Sequence, residues 1–382
     1  MVRAAVGLSS HADPVRAAEE VAAQALADGL RPEGALLFAT PDYADDTGTL
    51  VESAAGALGV TTVVGTHAHG VLGAGREIES GRGVALLALE GLELEGFLLD
   101  DVAGPETRLA DEIAARLGGP PSAEDLVVLL PDPRAVPLHA LLAGAREALG
   151  PAQIVGAGAA TLDAGEPLQW CGRERASGAL AGLVLRGKRP ARVAVTQACR
   201  PASELLTITR AQGHWILELD GRPALDVYRE VARGPLAEDL RRAAAFVLVA
   251  LPRDPAAPLA PGGYLVRNVA GFALKENAIA IPEPIASGER IAFVQRDPAS
   301  AREDLKLMLE RVRDPAPAFG LYFDCCARGS GFFGVPGLEA AYLEQAFGSV
   351  PLAGFFGSCE IGPVAGQPEL LTYTGVLALI DG

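Results

Sequence analysis

Two adjacent thiols, a guanidinium and several glycines follow one short apolar run: Phe323-Asp324-Cys325-Cys326-Ala327-Arg328-Gly329-Ser330-Gly331-Phe332-Phe333-Gly334. A second glycine-rich block follows, Leu352-Ala353-Gly354-Phe355-Phe356-Gly357-Ser358-Cys359-Glu360. A thiolate is a nucleophile. A guanidinium fork matches both oxygens of a carboxylate, and glycine lets a backbone approach a ligand closely. Arg328 and Glu360 together could take the two ends of an amino acid, carboxylate on Arg328 and ammonium on Glu360. Plainer roles are open to the same atoms. The thiols can be small buried groups beside turns, and Arg328 can pair with a structural carboxylate such as Asp324 or Glu360.

The residues expected to line a small-molecule pocket are Cys325, Cys326, Arg328, Gly329, Ser330 and Glu360. Cys199-Arg200 and the loop that carries His67 and His69 are expected to close it from the sides. The two histidines stand two apart, so on a strand they would face the same way. No carboxylate or thiol stands near them at ligand spacing, and adjacent cysteines do not readily share one tetrahedral metal. A hydrogen-bonding loop is therefore expected, with no metal. No GxxxxGK[ST] occurs, which leaves nucleotide binding with little support and no cofactor expected. A cysteine enzyme remains an alternative, with Cys326 as nucleophile and His67 or His69 as base. Nothing in the spacing fixes that geometry, so no catalytic residue is assigned.

The elements that position these residues repeat along the chain. Ala35-Leu36-Leu37-Phe38, Leu126-Val127-Val128-Leu129-Leu130 and Leu321-Tyr322-Phe323 read as buried strands. Helical patterns over 47–58, 135–149 and 338–347 follow, ending at Gly59, Gly150 and Gly348, where left-handed C-caps are expected. Six residues past each cap stands another glycine, Gly65, Gly156 or Gly354, closing a short apolar strand. A glycine-led strand over 83–89, 178–185 or 375–380 finishes each copy. This predicts three copies of a strand–helix–strand–hairpin unit. The third copy is longer than the others by three or four residues, all within 325–334. Core packing does not require that insertion, which points to function.

The middle of the chain is richer in strand, with a hairpin predicted from 205–209 and 214–219. A cut near Lys188-Arg189-Pro190 gives an N-terminal domain, 1–188, with two copies. The C-terminal domain, 189–382, holds the third copy and the strand-rich insert. The fold class expected is α/β, with layered mixed sheets covered by helices.

Composition narrows the partners. The 382 residues are 49% hydrophobic and 21% charged, an ordinary globular balance. A formal charge of -16 argues against nucleic acid or an anionic membrane as partner. The longest apolar run, 243–251, is too short to span a bilayer. No signal-peptide core precedes the polar His11-Ala12-Asp13-Pro14. Five cysteines without framework spacing fit reduced thiols in the cytoplasm.

Several stretches resemble the FIST family of paired N- and C-terminal domains. In the first half they are Gly65-Thr66-His67-Ala68-His69-Gly70-Val71 and Arg76-Glu77-Ile78-Glu79. In the second they are Ala198-Cys199-Arg200-Pro201, Glu218-Leu219-Asp220-Gly221, Leu265-Val266-Arg267-Asn268 and the two glycine-rich blocks. The resemblance runs from about residue 30 to the end and is most specific in those C-terminal blocks. It implies a sensory protein of intracellular signal transduction that binds a small ligand, an amino acid among the classes implied. Its output would pass through a downstream signalling partner. A protein-interaction scaffold is a further alternative.

Overall fold

The computed structural model describes residues 1–102, 109–161, 165–254 and 256–382. The chain forms two compact units. One joins Met1–Val195 to Leu305–Gly382, and the other is Thr196–Asp304. The first copy, the second and the third therefore share one unit, while most of the strand-rich insert forms the other. Lys188 and Arg189 lie between the strands Leu180–Arg186 and Arg192–Gln197.

The first unit contains three six-stranded sheets with the same strand order. The first runs Arg3–Ser9, Val84–Glu90, Gly34–Ala39, Thr62–His67, Leu168–Cys171, Glu174–Ser177. The second runs Glu93–Leu99, Leu180–Arg186, Leu126–Pro131, Gln153–Ala157, Glu360–Val364, Gln367–Leu371. The third runs Arg192–Gln197, Thr374–Ile380, Phe319–Cys325, Leu352–Gly357, Gly70–Gly73, Arg76–Ile78. In each, the leading strand pairs parallel with the second strand and antiparallel with the closing strand. All three leading strands are buried along their whole length, as apolar strands covered on both faces must be.

The hairpins are exchanged between the copies. The hairpin of the first copy pairs into the third sheet, that of the third into the second, and that of the second into the first. The exchange is cyclic, so each sheet is completed by the next copy. A crossover helix, Thr47–Leu58, Leu138–Leu149 or Leu338–Phe347, joins each leading strand to its parallel neighbour. Burial of Leu50 and Val51, Leu141 and Leu142, or Ala340 and Leu343 fastens each helix to its sheet. Gly59, Gly150 and Gly348 all have positive φ, but only Gly59 adopts the left-handed helical cap.

The glycines six residues farther on have a common cause. Gly65, Gly156 and Gly354 sit opposite Leu37, Leu129 and Tyr322 in the parallel pairs. A Cβ at any of them would run into the carbonyl oxygen of that partner. Backbone approaches too closely there for any side chain.

The second unit is a nine-stranded antiparallel sheet. Its central hairpin, Leu206–Gln212 with Trp215–Leu219, matches the sequence expectation closely. Leu225, Tyr228, Val249 and Phe293 are among its buried core. Arg267 forms an ion pair with Glu283 there.

Candidate functional site

The strand Phe319–Cys325 ends with Cys325 opposite Gly357. The Cys326 N–H donates to the Gly357 carbonyl at 2.8 Å, and the Arg328 N–H turns back to the Cys325 carbonyl at 2.8 Å. The extra residues of the third copy then form a short helix, Gly329–Phe333. Two carboxylates from the first copy's hairpin hold it. Glu79 accepts from the Ser330 N–H at 2.8 Å and its hydroxyl at 3.0 Å. Glu77 accepts from the Gly337 and Ala340 N–H groups at 3.1 and 2.7 Å, at the start of the next helix. Gly329, at φ +42, leaves no room for a Cβ beside Glu79. Gly329 and Ser330 are thus engaged by a structural carboxylate.

Arg328 is 1% exposed. Its Nε lies 2.8 Å from Asp324 Oδ1 and 3.2 Å from Glu339 Oε1, and its Nη2 also meets Glu339. The Tyr322 hydroxyl donates to the same Glu339 oxygen at 2.9 Å. Arg328 therefore meets Asp324 and Glu339, and not Glu360. Two carboxylates around one guanidinium cannot both stay charged cheaply in a dry site. Burial and the nearby Glu339 charge push Asp324 well above the usual carboxylate range. Burial opposes the Glu339 charge too, but Arg328 and the hydrogen bonds around it hold Glu339 below its ordinary value. The pair reads as neutral Asp324 beside an Arg328–Glu339 ion pair.

Glu360 is fully buried. Its Oε2 accepts from the Thr374 N–H at 3.2 Å and hydroxyl at 2.7 Å, while its Oε1 has no well-formed hydrogen bond and the Cys325 thiol lies beside the carboxyl. Burial, and next the neighbouring Cys325, push this carboxyl well above its ordinary range. Its environment therefore favours the neutral, protonated form. The three hairpins place Val71, Gln169 and Glu360 at the same position, opposite Phe355, Thr66 and Ala157. An apolar side chain and an amide fill the other two places, so packing does not dictate an acid at the third.

Three thiols surround Glu360. Cys325 and Cys359 are buried, and Cys326 is exposed. A hydrogen bond from Cys325 lowers the Cys326 thiol, while that bond and burial raise Cys325. Burial pushes Cys359 up to about 12.

The histidines do not share a strand. His67 ends Thr62–His67 in the first sheet, and His69 precedes Gly70–Gly73 in the third. His67 is buried, with Nδ1 accepting from the Leu168 N–H at 3.2 Å and the Nε2–H donating to the Thr47 hydroxyl oxygen at 2.9 Å. Burial lowers its pKa to about 4, so it is a neutral structural imidazole. The His69 N–H donates to the Phe356 carbonyl at 3.0 Å. In the other unit, Cys199 is buried and its carbonyl accepts from the Tyr264 hydroxyl. Arg200 there pairs with Asp297 at 3.4 Å. Among the described residues no group of three or more His, Cys, Asp or Glu could hold a metal ion. No described helix is long and apolar enough to cross a membrane.

Glu339, Thr374, Glu77 and Glu79 emerged only from the structure as supports of this region. Glu77 and Glu79 did leave a trace, since carboxylates two apart on a strand share a face.

A family model of the FIST N domain matches residues 34–222, and one of the FIST C domain matches 224–363. An uncharacterised protein of Mycobacterium tuberculosis strain H37Rv is 32% identical over 387 residues, covering 99% of each chain. Another, from Mycobacterium bovis strain AF2122/97, is 32% identical over 388 residues, covering 99% of this chain and 98% of its own. Among solved structures, a cyanuric acid hydrolase from A. caulinodans aligns with 49% of this chain and 71% of its own. It does so at 11% identity and a TM-score of 0.26, too slight a likeness to carry an argument. With both models covering most of the sequence, the chain belongs to the FIST family, whose domains are regarded as sensory, small-ligand-binding domains of signal transduction.

Proposed function

We propose that this protein senses a small amine-bearing ligand, an amino acid being the favoured class, at the acid beyond the Phe319–Cys325 strand end. The observation that carries this is Glu360: a desolvated carboxyl with one oxygen fixed by Thr374 and the other without a well-formed hydrogen bond. A buried polar atom left unpaired is costly, and an incoming ammonium group would satisfy it. The absence of an acid at the equivalent Val71 and Gln169 positions adds support. Arg328, Gly329 and Ser330 act here by positioning the loop that carries Cys325 and Cys326. The ligand's ammonium, and not its carboxylate, is the end recognised by charge. A cytoplasmic setting and a downstream signalling partner complete the proposal.

Calorimetric titration of amino acids and simple primary amines against the wild type and Glu360→Gln tests it. A charge-assisted contact contributes roughly 1.5–3 kcal/mol. The substitution should therefore weaken binding at least about tenfold. Unchanged affinity in Glu360→Gln would place the ligand elsewhere.

A further inference from the structure

We propose that Cys326 is a modification site for hydroperoxides, and that Cys325 resolves the oxidised sulfur as a disulfide between the two neighbours. Cys326 is the one exposed residue of the three cysteines near Glu360, and none of the three is in a disulfide. Cys325, directly before it, is buried at the strand end, one peptide bond from Cys326. The turn is held by the Cys326 N–H on the Gly357 carbonyl, which keeps both sulfurs at one end of the strand. An accessible cysteine with a second cysteine directly beside it is the arrangement in which a sulfenic acid is captured before further oxidation. The hydrogen bond that Cys325 donates also favours the thiolate of Cys326, the reactive form.

The chemistry balances with a hydroperoxide as the only oxidant. The Cys326 thiolate attacks the distal peroxide oxygen, and the O–O bond breaks. The alkoxide that leaves takes a proton to become an alcohol. Cys326 is now a sulfenic acid. Cys325 attacks that sulfur, the S–S bond forms, and the S–O bond breaks. The hydroxide released takes the Cys325 proton and leaves as water. Two thiols have given two electrons to one hydroperoxide. This route is independent of whether an amine binds at Glu360.

Peptide mapping after brief treatment with hydrogen peroxide tests it. No lysine or arginine lies between Arg313 and Arg328, or after Arg328. Trypsin therefore places Cys325 and Cys326 on the peptide 314–328, and Cys359 on 329–382. The wild-type 314–328 peptide should lose two hydrogens, lose alkylation at both cysteines, and recover both on reduction with dithiothreitol. Cys325→Ser should instead hold a sulfenic acid at Cys326 that dimedone traps, and Cys326→Ser should leave its 314–328 peptide unoxidised. The wild-type map needs no variant to fold. A bond joining 314–328 to 329–382, or first oxidation at Cys171, Cys199 or Cys359, would overturn the proposal.

Discussion

The Tyr322 hydroxyl and the Arg328 guanidinium converge on one oxygen of Glu339, in a site with almost no exposure. Removing one partner of such a pair strands a buried charge, a loss of about 3–5 kcal/mol. Arg328→Met should therefore destabilise strongly in urea titration. The double replacement Arg328→Met with Glu339→Leu should cost less than the single one, because no charge is left behind. Equal or greater loss in the double variant would mean that the ion pair is itself the main stabiliser.

The three close-approach glycines predict matched effects. Gly65→Ala, Gly156→Ala and Gly354→Ala each press a methyl group into a carbonyl oxygen of the leading strand. Overpacking of this kind costs roughly 1–3 kcal/mol. Gly56→Ala, at a helical glycine with nothing near its added Cβ, should instead be neutral or stabilising, by up to about 1 kcal/mol. Thermal melts of the four variants separate the two classes.

Much of this arrangement was legible in the sequence. The helices over 47–58 and 338–347 matched their apolar patterning, with a positive-φ glycine ending each. The six-residue glycine spacing marked a real contact with the leading strand. The hairpin exchange was not legible, because short buried strands such as Gly70–Gly73 carry no mark of which sheet will pair with them. Glu339 escaped notice for a similar reason. It stands in the first turn of its helix, and its partners Tyr322 and Arg328 come from elsewhere in the chain. The amide and apolar residues equivalent to Glu360 could be identified only once the register was known.

Glu77 gives the molecule a pH-dependent term. Burial raises it from 4.5 to about 7, with the Glu339 and Glu79 charges adding to this and the Ala340 and Gly337 N–H groups opposing it. Between those values the folded state holds a proton that the unfolded state has lost. Its contribution to stability therefore falls as pH rises from about 4.5 to about 7. His67, lowered from 6.5 to about 4, acts oppositely: its contribution is lost as pH falls through that window. Wild-type melts would blend the two, so the variant comparison is the informative one. Glu77→Gln should remove the falling term, making stability rise more steeply with pH between about 5 and 7 than in wild type. An unchanged slope would mean that Glu77 ionises normally.

Glu360, a buried acid whose environment favours the protonated form, is the group proposed to receive the amine. Titrating a bound amino acid near pH 7 in two buffers of different protonation enthalpy counts the protons exchanged on binding. An ammonium group that pairs with Glu360 converts the acid to its carboxylate, so about one proton should leave per ligand bound. That release should vanish in Glu360→Gln. Binding without proton release, or release that persists in Glu360→Gln, would contradict the assignment.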